Sequence, residues 1–252
     1  MRASQMIILK TETNSICKKI LFKSDGFLLK GTLHLPISKR PPVVIGVHGL
    51  FSDSDSPKQI ELAKKCNELN IAFFRFDHRG CGKSEDVFRD VTSFNARQSD
   101  LISAVKTVCS RNDTGNRIGL FGSSLGGTVC IFIAKKLNAT ALITFAAPVR
   151  SEPLIEMLDK SNYLNNLPLS FYKTNLNFDI SDKLSDIHNI LIFHGDSDKI
   201  VPISNAEEIY SKAGNPKKLI IQSQGDHRMS DKEHQTQFLN ESALWFKNKL
   251  NQ

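Results

Sequence analysis

The feature that most limits how this chain can fold is an alternation: short β-branched and aromatic runs recur between longer amphipathic stretches. Strands separated in this way pair in parallel, and a parallel sheet must be covered by helices on both faces. The run Val43-Val44-Ile45-Gly46-Val47 is apolar throughout instead of at every second position, as a strand buried on both faces requires. Further strands are predicted at 71–76, 117–121, 140–145, 190–193 and 218–222, with helices near 57–69, 93–110, 125–137, 203–213 and 231–250. At the start, 16–22 and 27–35 flank the turn tripeptide Ser24-Asp25-Gly26 and should form an antiparallel hairpin. Residues 148–186, with Pro148, Pro153, Pro168 and several asparagines, read as an irregular excursion. The pattern predicts one α/β domain over residues 1–252, built on an eight-stranded, mostly parallel sheet.

Composition removes several classes of function. Apolar residues are 40% and charged residues 23% of the chain, ordinary for a globular protein and far from disorder. The formal charge of +7 raises nucleic acid or an anionic membrane as a partner. The lysines, however, come as scattered pairs, Lys18-Lys19, Lys64-Lys65, Lys135-Lys136 and Lys217-Lys218, without interleaved aromatics. They are expected to form a solvated surface, with neither nucleic acid nor a membrane as partner. Cys17, Cys66, Cys81, Cys109 and Cys130 are odd in number and lack metal-type spacing, so they read as reduced thiols and no metal is expected. The short apolar stretch Met6–Leu9 is broken by Lys10 and Glu12, which is not a secretory segment. A cytoplasmic location is the expectation.

The chemistry concentrates at Gly122-Ser123-Ser124-Leu125-Gly126, between a predicted buried strand and a predicted helix. A serine on such a turn is presented above the sheet beside a helix N-terminus, and glycines two residues either side let the chain close around it. Ser124 has those glycines; Ser123 has Phe121 and Leu125 instead. A serine hydroxyl needs a base to take its proton and a carboxylate to orient that base. Of the seven histidines, His227 and His234 follow both the last predicted strand and the candidate acids on the 194–202 loop, and His234 falls inside the last predicted helix, which leaves His227. For the acid, Asp196 and Asp198 lie two apart on that loop and Asp226 is next to His227. Position alone prefers Asp198 only slightly.

With these segments the chain resembles the α/β-hydrolase superfamily over nearly its whole length, most of all its small esterase and serine-aminopeptidase-like branch. The resemblance is carried by His48-Gly49-Leu50, by Asp77-His78-Arg79-Gly80-Cys81-Gly82-Lys83-Ser84, by the turn at Ser124, and by His194-Gly195 followed by Asp198 and Val201-Pro202. It implies the α/β-hydrolase fold, with Ser124, Asp198 and His227 as a catalytic triad, and so decides for Asp198 over Asp196. It also implies that the backbone N–H groups of Leu50 and Leu125 form the oxyanion hole, that the 77–84 loop is structural, and that 148–186 forms a short cap over the nucleophile.

The expected function is hydrolysis of small or medium soluble carboxylic esters through an acyl-enzyme, with no cofactor. An aminopeptidase or acyl-thioesterase on the same triad is the alternative within the class. Outside it stands a binding protein that has kept the fold and lost the chemistry. Leu154, Ile155, Met157 and Leu158 are expected to form one apolar helical face of the cap, and Tyr163, Phe171, Tyr172 and Phe178 either line a pocket or pack the cap down.

Overall fold

The computed structural model describes residues 16–161 and 167–251, without the side chains of 158–161; Met6–Leu9 and Tyr163 lie outside the described residues. A hairpin of β1 (Ile16–Ser24) and β2 (Phe27–Leu35) opens the fold, followed by β3 (Val43–Val47), α1 (Pro57–Glu68) and β4 (Ala72–Phe76). The short α2 (Phe88–Val91) precedes α3 (Phe94–Cys109), β5 (Ile118–Ser123), α4 (Leu125–Ile133) and β6 (Ala141–Phe145). Next come α5 (Glu152–Ser161), α6 (Leu169–Asn175), β7 (Ile190–Gly195), α7 (Ser204–Lys212), β8 (Lys217–Gln222) and α8 (Lys232–Leu250).

One eight-stranded sheet runs in the order β1-β2-β4-β3-β5-β6-β7-β8. β1 and β2 pair antiparallel, β2 joins β4 antiparallel, and every later pairing is parallel. The order and pairing are those of the α/β-hydrolase fold. Alternation along the strands divides the core between two faces. Val43, Ile45 and Val47 pack on one side with α3 and α4, while Val44 faces the other with residues of α1 and α8. β7 repeats this, Ile190 and Ile192 to the first face, Leu191 and Phe193 to the second.

Helix starts follow the local chemistry. Pro57 sits in the first turn of α1, Ser93 Oγ accepts the N–H of Ala96 to open α3, and Asp231 accepts those of Glu233 and His234 to open α8. Among the described residues no helix is long and apolar enough to cross a membrane, and the five cysteines are free.

Residues 148–186 are more ordered than their prolines suggest, since they hold α5 and α6. On α5, Ile155 is buried, Leu154 half-buried and Met157 exposed. Phe171 and Tyr172 of α6 are buried, and Phe178 stacks on Phe94 at 4.9 Å. These aromatics therefore pack the segment onto the body.

Candidate active site

The parallel strands end level with one another: Ser123 pairs with Phe145, Phe145 with Phe193 and Phe193 with Ile220. Three loops leave this edge carrying Ser124, Asp198 and His227, at the carboxyl end where open parallel sheets place their sites.

Ser123 is the last residue of β5 and Ser124 is the turn itself, at φ 52° and ψ −127° just before α4. A non-glycine residue there is strained by about 1–3 kcal/mol and persists only where its surroundings hold it. Its N–H donates to Phe145 O at 2.8 Å, and its carbonyl accepts from Gly127 N at 2.8 Å. The flanking glycines have no room for a side chain. A Cβ on Gly122 would meet the Gly126 carbonyl oxygen at 2.4 Å, and one on Gly126 the Val47 carbonyl oxygen at 2.3 Å. The same closeness brings the loop after β3 to the serine, because a Cβ on Gly49 would stand 3.4 Å from Ser124 Cβ. Leu125 opens α4, so its N–H has no acceptor within the helix.

His227 Nδ1 and Asp198 Oδ2 are 2.7 Å apart. The carboxylate can only accept, so the ring proton is on Nδ1 and the basic lone pair on Nε2. Asp198 Oδ1 accepts the N–H groups of Ile200 and Val201 at 2.8 and 2.9 Å, and the side chain is fully buried. Burial works against its charge. Hydrogen bonds from His194 and His227, the nearby imidazole charge and the Val201 N–H outweigh it and hold the carboxyl well below the usual range.

The other acids serve their own loops. Asp196 is exposed and accepts Gln224 N at 2.6 Å; Asp226 accepts both the N–H and the hydroxyl of Ser230. The loops of Asp198 and His227 are stitched together by Ser197 N to Gly225 O at 3.0 Å and Asp196 N to Gln222 O at 3.1 Å.

Several neighbours escaped the sequence reading. Lys58, in the first turn of α1, donates to Arg228 O at 2.7 Å and lies 4.8 Å over the Phe145 ring, so it ties the residue after His227 to the strand end that supports Ser124. Burial pulls its ammonium down to about 8. His48 accepts His78 N–H on Nε2 at 3.1 Å and donates Nδ1–H to Gly49 O at 2.8 Å, bracing the loop after β3. Arg97 reaches the carbonyls of the same loop. Its signal in the sequence was a charge inside the apolar stripe of a predicted helix.

The 77–84 loop is held by Asp100, which takes Arg79 through Nε at 2.9 Å and a terminal nitrogen at 2.7 Å. Asp77 accepts Ser54 N and Lys83 N, a structural use. No group of histidines, cysteines or acids among the described residues is arranged to hold a metal.

A family model described as "Serine aminopeptidase, S33" matches residues 38–186, more than half of the chain. The chain belongs to that family. It is therefore a hydrolase of the α/β-hydrolase superfamily. This S33-family chain is 28% identical over 211 residues to the uncharacterized protein YfhR of Escherichia coli, covering 81% of this chain and 70% of that one. In three dimensions it resembles an esterase of Pyrococcus furiosus, with a TM-score of 0.79 at 16% identity over 94% of this chain and 92% of that one. It also resembles Est1E of Butyrivibrio proteoclasticus, solved with ferulic acid, with a TM-score of 0.78 at 19% identity over 92% and 100% of the two chains. At these identities the structures attest the fold.

Proposed function

We propose that the chain is a serine esterase acting on small or medium carboxylic esters, with Ser124 as nucleophile, His227 as base and Asp198 as the acid that orients it. The observation that carries this reading is the buried Asp198 carboxylate 2.7 Å from His227 Nδ1, which leaves Nε2 as the basic atom, on the same sheet edge as the strained turn at Ser124. In the first step Nε2 takes the hydroxyl proton and Oγ bonds to the ester carbon, while the carbonyl electron pair moves onto oxygen. The Leu50 and Leu125 N–H groups receive that charge. The imidazolium then protonates the departing alcohol, and water repeats the sequence to release the acid.

An ester is favoured over an aminoacyl amide, although the family's description names aminopeptidases. What stands beside the oxyanion loop is apolar. Phe51 follows Leu50, is 53% exposed, and lies 5.5 Å from Phe88, which is 6.1 Å from Phe171. Such a wall suits a short acyl or aryl group.

The test is fluorophosphonate labelling of the wild type and of Ser124→Ala, followed by a panel of aryl and alkyl esters of rising chain length, thioesters and aminoacyl amides. Labelling is expected on Ser124 alone, with about a millionfold loss of turnover in the variant. Rates should fall as the acyl chain lengthens and show no rise at the micellar transition. Labelling of Ser124→Ala, or a preference for aminoacyl amides, would overturn the respective part.

A further inference from the structure

α3 turns Phe94, Leu101, Ala104, Val105 and Val108 into the core, and Arg97 stands in the same stripe with 1% of its surface exposed. Among the described residues it forms no ion pair; Asp100, one turn further on, is taken by Arg79 and His78. An interior cation without a counter-ion is strongly destabilising unless oriented dipoles surround it. Here the dipoles are three successive carbonyls. One terminal nitrogen donates to His48 O and Gly49 O, each at 3.3 Å, and the other to Leu50 O at 3.0 Å.

The direction of these carbonyls has a consequence for the opposite side of the loop. In a trans peptide unit the C=O and the N–H point in opposite directions. The units that give their oxygens to Arg97 therefore turn the N–H groups of Gly49, Leu50 and Phe51 away from it. Among the described residues, none of those three N–H groups has a hydrogen-bond acceptor. The unit bearing the Leu50 N–H is held twice, since Gly49 O also accepts Nδ1–H from His48 at 2.8 Å. Gly49 itself lies against Ser124.

We propose that Arg97 is the positioning residue of the oxyanion hole: by gathering the carbonyls of His48, Gly49 and Leu50 it aims the Leu50 N–H at the ester oxygen. Its charge behind that peptide unit also polarises the unit and strengthens the donor as negative charge develops. The proposal rests on Ser124 being the nucleophile.

The experiment uses the full chain and its Arg97→Gln and Arg97→Lys variants, assayed with an aryl ester and with an alkyl trifluoromethyl ketone. The ketone adds the serine oxygen at its carbonyl carbon, and the resulting hemiketal oxyanion occupies the hole. Removing one such donor typically lowers turnover by about a hundred- to a thousandfold, and misaiming it should lower kcat by roughly ten- to a hundredfold in Arg97→Gln. KM and the shape of the pH profile should stay as they are, and ketone affinity should fall by the same factor as kcat/KM. Arg97→Lys, which keeps the charge without the reach to three carbonyls, should fall between. If Arg97→Gln does not fold, the same proportionality is read on Arg97→Lys.

Rates and ketone affinities within threefold of wild type in both variants would overturn the role of Arg97. So would a loss of rate with ketone affinity unchanged, or a displaced pH profile. Wild type that fluorophosphonate does not label would instead overturn the reading of the site, and this proposal with it.

Discussion

Asp198 uses both of its oxygens: one takes the N–H groups of Ile200 and Val201, and the other faces His227. Neutralising it leaves the shape and removes the orientation. Asp198→Asn is expected to lower turnover by up to about ten-thousandfold, through the wrong imidazole tautomer, whereas Asp196→Asn should leave it nearly unchanged. Steady-state rates of the two variants decide; a severe loss in Asp196→Asn with a mild one in Asp198→Asn would reassign the acid. Because its carboxyl is held well below the usual range, Asp198 stays ionised through mildly acidic pH and is not the group that limits activity there. The sequence alone left Asp196 and Asp198 nearly equal, since residues two apart on a loop share no periodicity that separates them. The family resemblance chose Asp198, and the backbone path, with Asp196 spent on Gln224 and Asp198 turned inward, gives that choice a physical ground. Arg97 showed in the sequence only as a charge in an apolar stripe, and its role was not legible for a related reason, since its partners are main-chain carbonyls and leave no trace in the spacing of side chains.

At the scale of elements, the strands and long helices were legible because their burial is periodic, and their ends fall within a few residues of the reading. Of α5 the reading held only the apolar face at 154–158, without bounds, and α6 was not legible. Pro153 and Pro168 counted toward an irregular excursion, yet Pro153 stands in the first turn of α5 and Pro168 just before α6, where a missing N–H costs a helix nothing. α2, with four residues, is too short to show a period at all. Between elements, the Lys58 bond to Arg228 O couples the start of α1 to the loop of His227. Lys58→Met should lower kcat by about tenfold through a small displacement of His227, with an unchanged circular-dichroism spectrum. Full activity in that variant would show that the loop holds itself.

Across the whole molecule, acid stability follows from histidines that are buried as neutral rings. Burial, with Arg75 beside His34 and Arg97 beside His78, pushes each of these two down to about 4, and burial with His78 nearby sends His48 well below its ordinary value. The unfolded chain binds these protons near the ordinary histidine value of about 6.5 and the fold resists them. Their stabilisation is therefore complete above that value and is lost as the pH falls toward 4, at up to about 1.4 kcal/mol per pH unit for each ring. The melting temperature should drop steadily from pH 7 to pH 4.5, and less steeply in His34→Gln; a flat profile in the wild type would contradict this. Asp100, which stays charged down to about 2, does not set that limit.

The outermost strands give the charge of +7 a further meaning. β1 and β8 close the sheet at its two ends, and along their length stand Lys18, Lys19 and Lys23 at one side and Lys217 and Lys218 at the other. A foreign strand docking on either border would have to desolvate this row of ammonium groups beside exposed Leu21 or Ile221. Lysine pairs that look aimless along the chain thus stand at the borders that the described residues leave unpaired, and oppose the ribbon-to-ribbon association through which a sheet of this kind would otherwise aggregate.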